Sequence, residues 1–349
     1  MTKSKLAVIF GGHSSEYNVS LQSASAVIRA IDKNKYDVVA LGIDPLGAWF
    51  RYTGDVNRIA SDVWRDDAYC KKAFIVPDRE HHGMIELDDN IPTFTHIDAA
   101  FPVLHGKNGE DGTVQGLLEL AGIPVVGCKT LSSALCMDKD KAHKLVHQAG
   151  VRVPRSFVLD NKMDAGLALT QAESLGYPIF VKPIKAGSSF GITKVVQRND
   201  LPAAFGLAFG HDNKVLIEES IPGFEVGCAI IGNDELIVGE PDEIELVDGF
   251  FDNKEKYTPE TSFTHVPARI SSAKAEEIKN LAKIIYKALD CTGFARVDMF
   301  LTPFGEIIFN EVNTIPGFTT HSRYPNMMRT VGMTFKQIVS TAIDLAVSA

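Results

Sequence analysis

Short continuous apolar runs alternate along the chain with stretches whose apolar residues recur every three or four positions, the pattern of buried strands followed by amphipathic helices. Leu6-Ala7-Val8-Ile9-Phe10 is a run of the kind found in a parallel strand covered on both faces, and the spacing over 19–31 predicts a helix after a polar loop. Strands are expected over 38–43 and 99–104, a helix over 112–121 and a short strand over 124–126. A strand, helix, strand order with a glycine-rich first turn predicts an open α/β sheet with its site at the carboxyl ends of the strands. From residue 131 the pattern changes to a small α+β unit. A helix begins at Met137-Asp138-Lys139 and runs to Ala149-Gly150, strands follow over 156–159, 179–183, 193–196 and 215–219, and a helix over 164–175 lies between the first two. From residue 225 onward come long strands, a surface loop over 247–264, a helix over 273–289 and two strands joined by the turn Thr302-Pro303-Phe304-Gly305. At 349 residues the chain exceeds the usual size of one domain, and these changes divide it into 1–127, 128–218 and 219–349.

The last two strands carry the most informative chemistry. Phe294-Ala295-Arg296-Val297-Asp298-Met299-Phe300 and Glu311-Val312-Asn313 hold Asp298, Glu311 and Asn313, oxygen ligands suited to a hard cation such as Mg²⁺. The period of two along a strand puts Glu311 and Asn313 on one face and Val312 on the other. Carboxylates facing one way inside apolar strands need compensation: either a cation sits there, or Arg296 and a lysine pair with them.

Composition narrows the function. The chain is 45% hydrophobic and 23% charged, without low-complexity tracts, and its net charge of −9 argues against nucleic acid as the partner, since neutralising phosphates needs a basic surface. The five cysteines are scattered, odd in number and never in a C-x-x-C pair, so they are expected to be reduced thiols rather than a disulfide or zinc framework. The apolar run within the first ten residues is too short for a signal or a membrane span, and the expected location is the cytoplasm.

Four further constellations each admit two readings. Lys182 ends an apolar strand, and Ala186-Gly187-Ser188-Ser189 follows; this is either a phosphate lid or a hairpin beside a solvated lysine. No G-x-x-x-x-G-K-[ST] loop occurs. Glu218-Glu219-Ser220-Ile221, with Glu225 beyond, is either an adenine and ribose edge or a solvated strand end. Gly11-Gly12-His13-Ser14-Ser15-Glu16 precedes a helix, where Glu16 either holds an ammonium or caps the helix; G-x-G-x-x-G is absent. His105, in a polar glycine-rich loop reaching Gly112, is either a substrate contact or structural.

Their joint order is more specific than any one of them. With Met137-Asp138-Lys139, Lys182-Pro183, Glu255-Lys256-Tyr257, Arg296-Val297-Asp298 and Asn310-Glu311-Val312-Asn313-Thr314 through Pro316-Gly317-Phe318, they span nearly the whole chain, which resembles the D-alanine–D-alanine ligase family of the ATP-grasp fold. The resemblance implies three domains beginning with the open α/β unit. It implies that ATP phosphorylates a first D-alanine and that a second substrate's amine attacks the acyl phosphate. Lys139, Lys182 and the Ser188-Ser189 loop would hold ATP phosphates; Glu218, Ser220, Ile221, Glu225 and Phe250 would take adenine and ribose. Two Mg²⁺ ions, with Mn²⁺ as a substitute, would be held by Asp298, Glu311 and Asn313. Arg296 and the Gly317 N–H would stabilise the tetrahedral oxyanion. Glu16, Ser188 and Tyr257 would tie three loops over the substrates, with Glu16 on the first ammonium, His105 near the first carboxylate, and Lys256 and Ser322 on the second carboxylate.

The second substrate rests on two places. Glu255-Lys256-Tyr257 resembles the loop of ligases that use an amino acid, which disfavours D-lactate. Arg323 stands where housekeeping relatives carry an apolar residue, and the combination is similar to the VanG-type D-alanine–D-serine ligases of vancomycin resistance. A guanidinium there would donate to the serine hydroxyl; the alternative is that it pairs with a surface acid. Asn253 departs from the aromatic residue of many relatives. The expected activity is D-alanyl-D-serine synthesis for peptidoglycan precursors, with D-alanyl-D-alanine as the alternative product. Another carboxylate–amine ligase and a non-catalytic nucleotide-binding protein are the rivals. A homodimer is expected, with no nucleic acid and no membrane insertion.

Overall fold

The computed structural model describes residues 3–88, 91–160, 165–185, 187, 190–246 and 262–348. In chain order the first unit runs β1 (Ser4–Gly11), α1 (Tyr17–Ala30), β2 (Tyr36–Ile43), β3 (Trp49–Tyr52), α2 (Val56–Ala60), β4 (Cys70–Ile75), β5 (Gly83–Asp88), β6 (Ile91–His96), β7 (Ala99–Pro102) and α3 (Thr113–Leu120). Its sheet has the order β6-β5-β4-β3-β2-β1-β7. Among its named strands the parallel pairs are those of β1 with β2 and with β7. The expected open α/β core is there, but β3 to β6 extend it as an antiparallel meander. Their outer residues face solvent, so these short strands lack the continuous apolar run that marks β1. The strand expected over 124–126 reduces to one bridge, Val125 to Ala100.

The second sheet is antiparallel, ordered β10-β9-β11-β8, from β8 (Ser156–Asp160), β9 (Ile179–Pro183), β10 (Thr193–Val195) and β11 (Lys214–Glu219). Two helices precede it, α4 (Thr130–Met137) and α5 (Lys139–Gln148); α6 (Ala165–Leu175) and α7 (Leu201–Phe209) pack on it. Helix α4 was not anticipated. Asp138, which closes it, caps α5 by accepting from the Lys141 N–H at 3.1 Å.

The third sheet is ordered β15-β14-β12-β16-β17, with β13 on β12. It contains β12 (Phe224–Ile231), β13 (Ile237–Val238), β14 (Asp242–Leu246), β15 (Ser262–His265), β16 (Phe294–Leu301) and β17 (Ile307–Asn313). Helix α8 (Ser272–Ala288) buries Ile278, Ala282, Ile285 and Tyr286 against it, and Ala142 and Val146 of α5 join the same core. The chain ends in α9 (Arg323–Arg329) and α10 (Phe335–Val347), whose Tyr324, Met327, Ile338 and Ile343 pack with Val8 and Phe10 of β1. One core therefore joins the first and last parts of the chain, leaving the carboxyl ends of β1 and β7 facing β16 and β17.

Candidate active site

The antiparallel register of β16 and β17 sets Asp298 opposite Glu311 and Arg296 opposite Asn313, while Val297 and Val312 turn into the core. Four polar side chains thus share one face. Asp298 is almost fully buried and accepts from the Arg296 Nε at 2.8 Å, the Arg296 Nη2 at 2.7 Å and the Asn313 Nδ2 at 2.8 Å. Glu311 lies 3.4 Å from the Lys139 ammonium at the start of α5. Arg296 with Asp298 and Lys139 with Glu311 are the pairings that the sequence offered as the alternative to a cation. Among the described residues no group of three or more histidine, cysteine, aspartate or glutamate side chains is set to hold a metal ion. The donors still fit a hard cation, being two carboxylates and an amide on one rigid sheet face. Nearby, burial, with Glu16 next, pushes the Glu110 carboxyl up to about 8.

The second sheet supplies the opposite wall. Lys182 and Glu218 project from neighbouring strands β9 and β11 and form a buried ion pair. The start of α5 is tied to the end of β9 by the Lys139 N–H, which donates to the Ile184 carbonyl at 3.3 Å, and burial lowers the pKa of His143 on the same helix. Both lysines therefore converge on one space. Ser220 and Ile221 form the passage from β11 to β12, with the Ser220 N–H on the Pro178 carbonyl. Glu225, at the start of β12, accepts from the Arg323 Nη1 at 2.8 Å.

The first unit closes the site. Glu16 is the N-cap residue of α1, yet its side chain makes no capping hydrogen bond. Its carboxylate lies instead against two glycines; a Cβ on Gly106 or Gly187 would fall 2.5 or 2.8 Å from the Glu16 Oε2. Gly187 brings the loop after β9 onto the first unit at this point. His105 is buried and held neutral, since burial lowers its pKa. Its Nδ1–H donates to the Ile315 carbonyl at 2.8 Å, and its Nε2 receives the Ser23 hydroxyl at 3.1 Å. Gly317 lies in the loop after β17, against the Ser322 hydroxyl, which accepts from the Thr319 N–H at 3.1 Å.

Arg323 pairs with acids, but not surface ones. Its Nε and Nη2 meet the Asp242 carboxylate at 2.7 and 2.8 Å, and Nη2 stands 3.5 Å from Asp298. Asp242 also accepts the Gly227 N–H at 2.8 Å. Burial works to raise the Asp242 pKa, and Arg323 more than offsets it, so the net direction is down. Asp242, Ser23 and His143 were not singled out by sequence reasoning. Asp242 opens the acid-rich strand Asp242-Glu243-Ile244-Glu245-Leu246, in which nothing marks it out from its neighbours. Ser188, Ser189, Phe250, Asn253, Lys256 and Tyr257 lie outside the described residues.

Known proteins match along nearly the whole chain. Residues 5–128 match the family described as D-ala D-ala ligase N-terminus, and 145–344 the one described as D-ala D-ala ligase C-terminus. The D-alanine–D-alanine ligase of Caldicellulosiruptor bescii is 45% identical, covering 99% of this chain and 96% of its own. Vancomycin C-type resistance protein VanC1 of Enterococcus gallinarum is 43% identical over 98% of each. The crystal structure of VanG D-Ala:D-Ser ligase from Enterococcus faecalis superposes with a TM-score of 0.92 at 54% identity, covering 99% of this chain and 100% of that one.

Proposed function

Because the chain belongs to the D-alanine–D-alanine ligase family and is an ATP-dependent, peptide-bond-forming ligase, we infer that it joins D-alanine preferentially to D-serine, through a D-alanyl phosphate. The observation that carries this reading is Arg323, a guanidinium fixed by Asp242 and Glu225 beside Asp298. Its named partners leave one Nη1 hydrogen for a hydroxyl, and a charged hydrogen bond of about 1.5–3 kcal/mol favours D-serine over D-alanine by about tenfold or more. The likeness to the VanG enzyme supports the same choice. D-Alanyl-D-alanine is the second reading, supported by how thoroughly Arg323 is already engaged and by the Caldicellulosiruptor relative.

Lys139 and Lys182 hold the ATP phosphates, and opening the Lys182–Glu218 pair frees the ammonium for them. Glu218, Ser220, Ile221, Glu225 and Phe250 receive adenine and ribose, and Ser189 closes over the phosphates. Asp298, Glu311 and Asn313 would hold two Mg²⁺ or Mn²⁺ ions, which would neutralise phosphate charge. Glu16 receives the ammonium of the first D-alanine, and neutral His105 lies by its carboxylate. Arg296 and the Gly317 N–H face the oxyanion, while Lys256 and Ser322 take the second carboxylate. Ser188 and Tyr257 join Glu16 in excluding water from the acyl phosphate.

The reaction is cytoplasmic, where ATP is supplied, and feeds peptidoglycan precursors. Among the described residues no helix is long and apolar enough to cross a membrane. The working assembly is a homodimer through the first unit, consistent with Phe74 and Phe94 exposed on one face of β4 and β6. Phosphate release is measured with ATP, Mg²⁺ and D-alanine alone, then with D-serine or D-lactate added, and products are identified by mass. Predominant D-alanyl-D-serine is the expected result. D-Alanyl-D-alanine alone rejects the serine reading, and turnover without D-alanine rejects the ligase assignment.

A further inference from the structure

The loop that follows β17 is held by side chains that do not belong to its own sheet. Both backbone groups of Ile315 are taken by the first unit: its N–H donates to the Glu110 Oε1 at 3.1 Å, and its carbonyl accepts from His105 at 2.8 Å. Two residues past Pro316, the Phe318 N–H donates to the Ser23 hydroxyl at 3.2 Å. Gly317 is bracketed by these attachments. A glycine has no side chain to fix its peptide, so the direction of its N–H depends on its neighbours.

We propose that Glu110 is a positioning residue, which with His105 and Ser23 aims the Gly317 N–H at the oxyanion of the ligation step. The proposal rests on the reading of Gly317 given above. The other oxygen of Glu110, Oε2, accepts the Gly106 N–H at 2.7 Å, and Gly106 is the residue packed against Glu16. One carboxyl group therefore couples the anchor for the substrate ammonium to the donor for the transition state. The task needs two acceptor oxygens at one site. A glutamine offers one, and turns an N–H₂ toward the second N–H, so Glu110→Gln loses one of the two attachments and Glu110→Ala loses both.

The test uses the full-length enzyme, once the wild type has been shown to make a D-alanyl dipeptide; failure at that stage rejects the functional reading and not this one. For Glu110→Gln and Glu110→Ala, kcat, both amino-acid KM values and the affinity for a phosphinate dipeptide analogue in the presence of ATP are measured. The tetrahedral oxygen of that analogue occupies the oxyanion position. The expected kcat falls about 10-fold to 100-fold, more for alanine than for glutamine, because a small misdirection of a preorganised donor is costly. Phosphinate affinity falls by the same factor while the KM values stay within about threefold, the signature of an interaction made in the transition state. A Glu110→Gln enzyme with kcat within about twofold of wild type, or with undiminished phosphinate binding, overturns the proposal. If Glu110→Ala does not fold, Ser23→Ala takes its place; it releases the Phe318 end of the loop and must show the same pairing of kcat with phosphinate affinity.

Discussion

Replacing Arg323 by methionine removes the only cation bonded to Asp242 among the described residues, and the consequence reaches past substrate choice. The Asp242 side chain is 0% exposed and keeps one other partner, the Gly227 N–H. Stranding one half of a buried ion pair costs about 3–5 kcal/mol. With a urea slope near 3 kcal/mol per molar, the unfolding midpoint of Arg323→Met drops by about 1 M or more. The pH dependence changes sign as well. In the wild type the Asp242 pKa is depressed, so its contribution is present above the unfolded carboxylate value and lost as pH falls through the folded one. In Arg323→Met burial is opposed only by Arg296 and the Gly227 N–H, the folded pKa is expected to rise above the unfolded one, and stability from this group is then lost as pH rises. Urea titrations at pH 5 and pH 8 read this out, and Arg323→Met/Asp242→Asn recovers much of the loss by removing the stranded charge. D-Serine use falls in both variants while D-alanine use persists. A single variant with the wild-type midpoint and the wild-type pH slope refutes the reasoning.

Gly187→Ala places a methyl group 2.8 Å from the Glu16 Oε2; the KM for the first D-alanine rises, by about tenfold, while the KM for ATP holds, because a displaced carboxylate weakens one charged contact. Equal shifts in both constants count against this placement. Lys182→Met lowers ATP affinity by about 10-fold to 100-fold in calorimetry, the worth of a charged hydrogen bond. Adding Glu218→Gln restores stability without restoring ATP, and a recovery of both rejects the phosphate role. Glu110, at about 8 against an ordinary 4.5, contributes stability that is complete below pH 4.5 and drains away as pH rises through 8. Glu110→Gln abolishes that slope in thermal melts between pH 5 and pH 9, and unchanged slopes reject it.

Continuous apolar runs made β1, β2, β9 and β11 legible, because a strand buried on both faces has no other way to be written. The meander β3 to β6 was not legible, since strands with one solvated face and four to six residues blend into loop composition. At the site, the period of two placed Glu311 beside Asn313 correctly. The partners across space were a different matter. That Asp242 holds Arg323, and that Glu110 and His105 divide the two backbone groups of Ile315, depends on contacts between residues 81 to 210 positions apart. Single-chain periodicity carries no information at that range. The capping reading of Glu16 failed for a local reason, namely that its carboxylate turns away from α1 toward two glycines.

The core shared by β1 and the last two helices has a consequence for how the protein is made. Val8 and Phe10 leave the ribosome early, and the residues that cover them, Tyr324, Met327, Ile338 and Ile343, are translated more than 300 residues later. At about 5–20 residues per second that interval is roughly 15 to 65 s. For that time the first strand presents its apolar face to the cell with no native partner for much of it. The nascent first unit is therefore a client for holding chaperones, and a stop codon shortly before residue 324 yields an aggregating fragment rather than a smaller working domain.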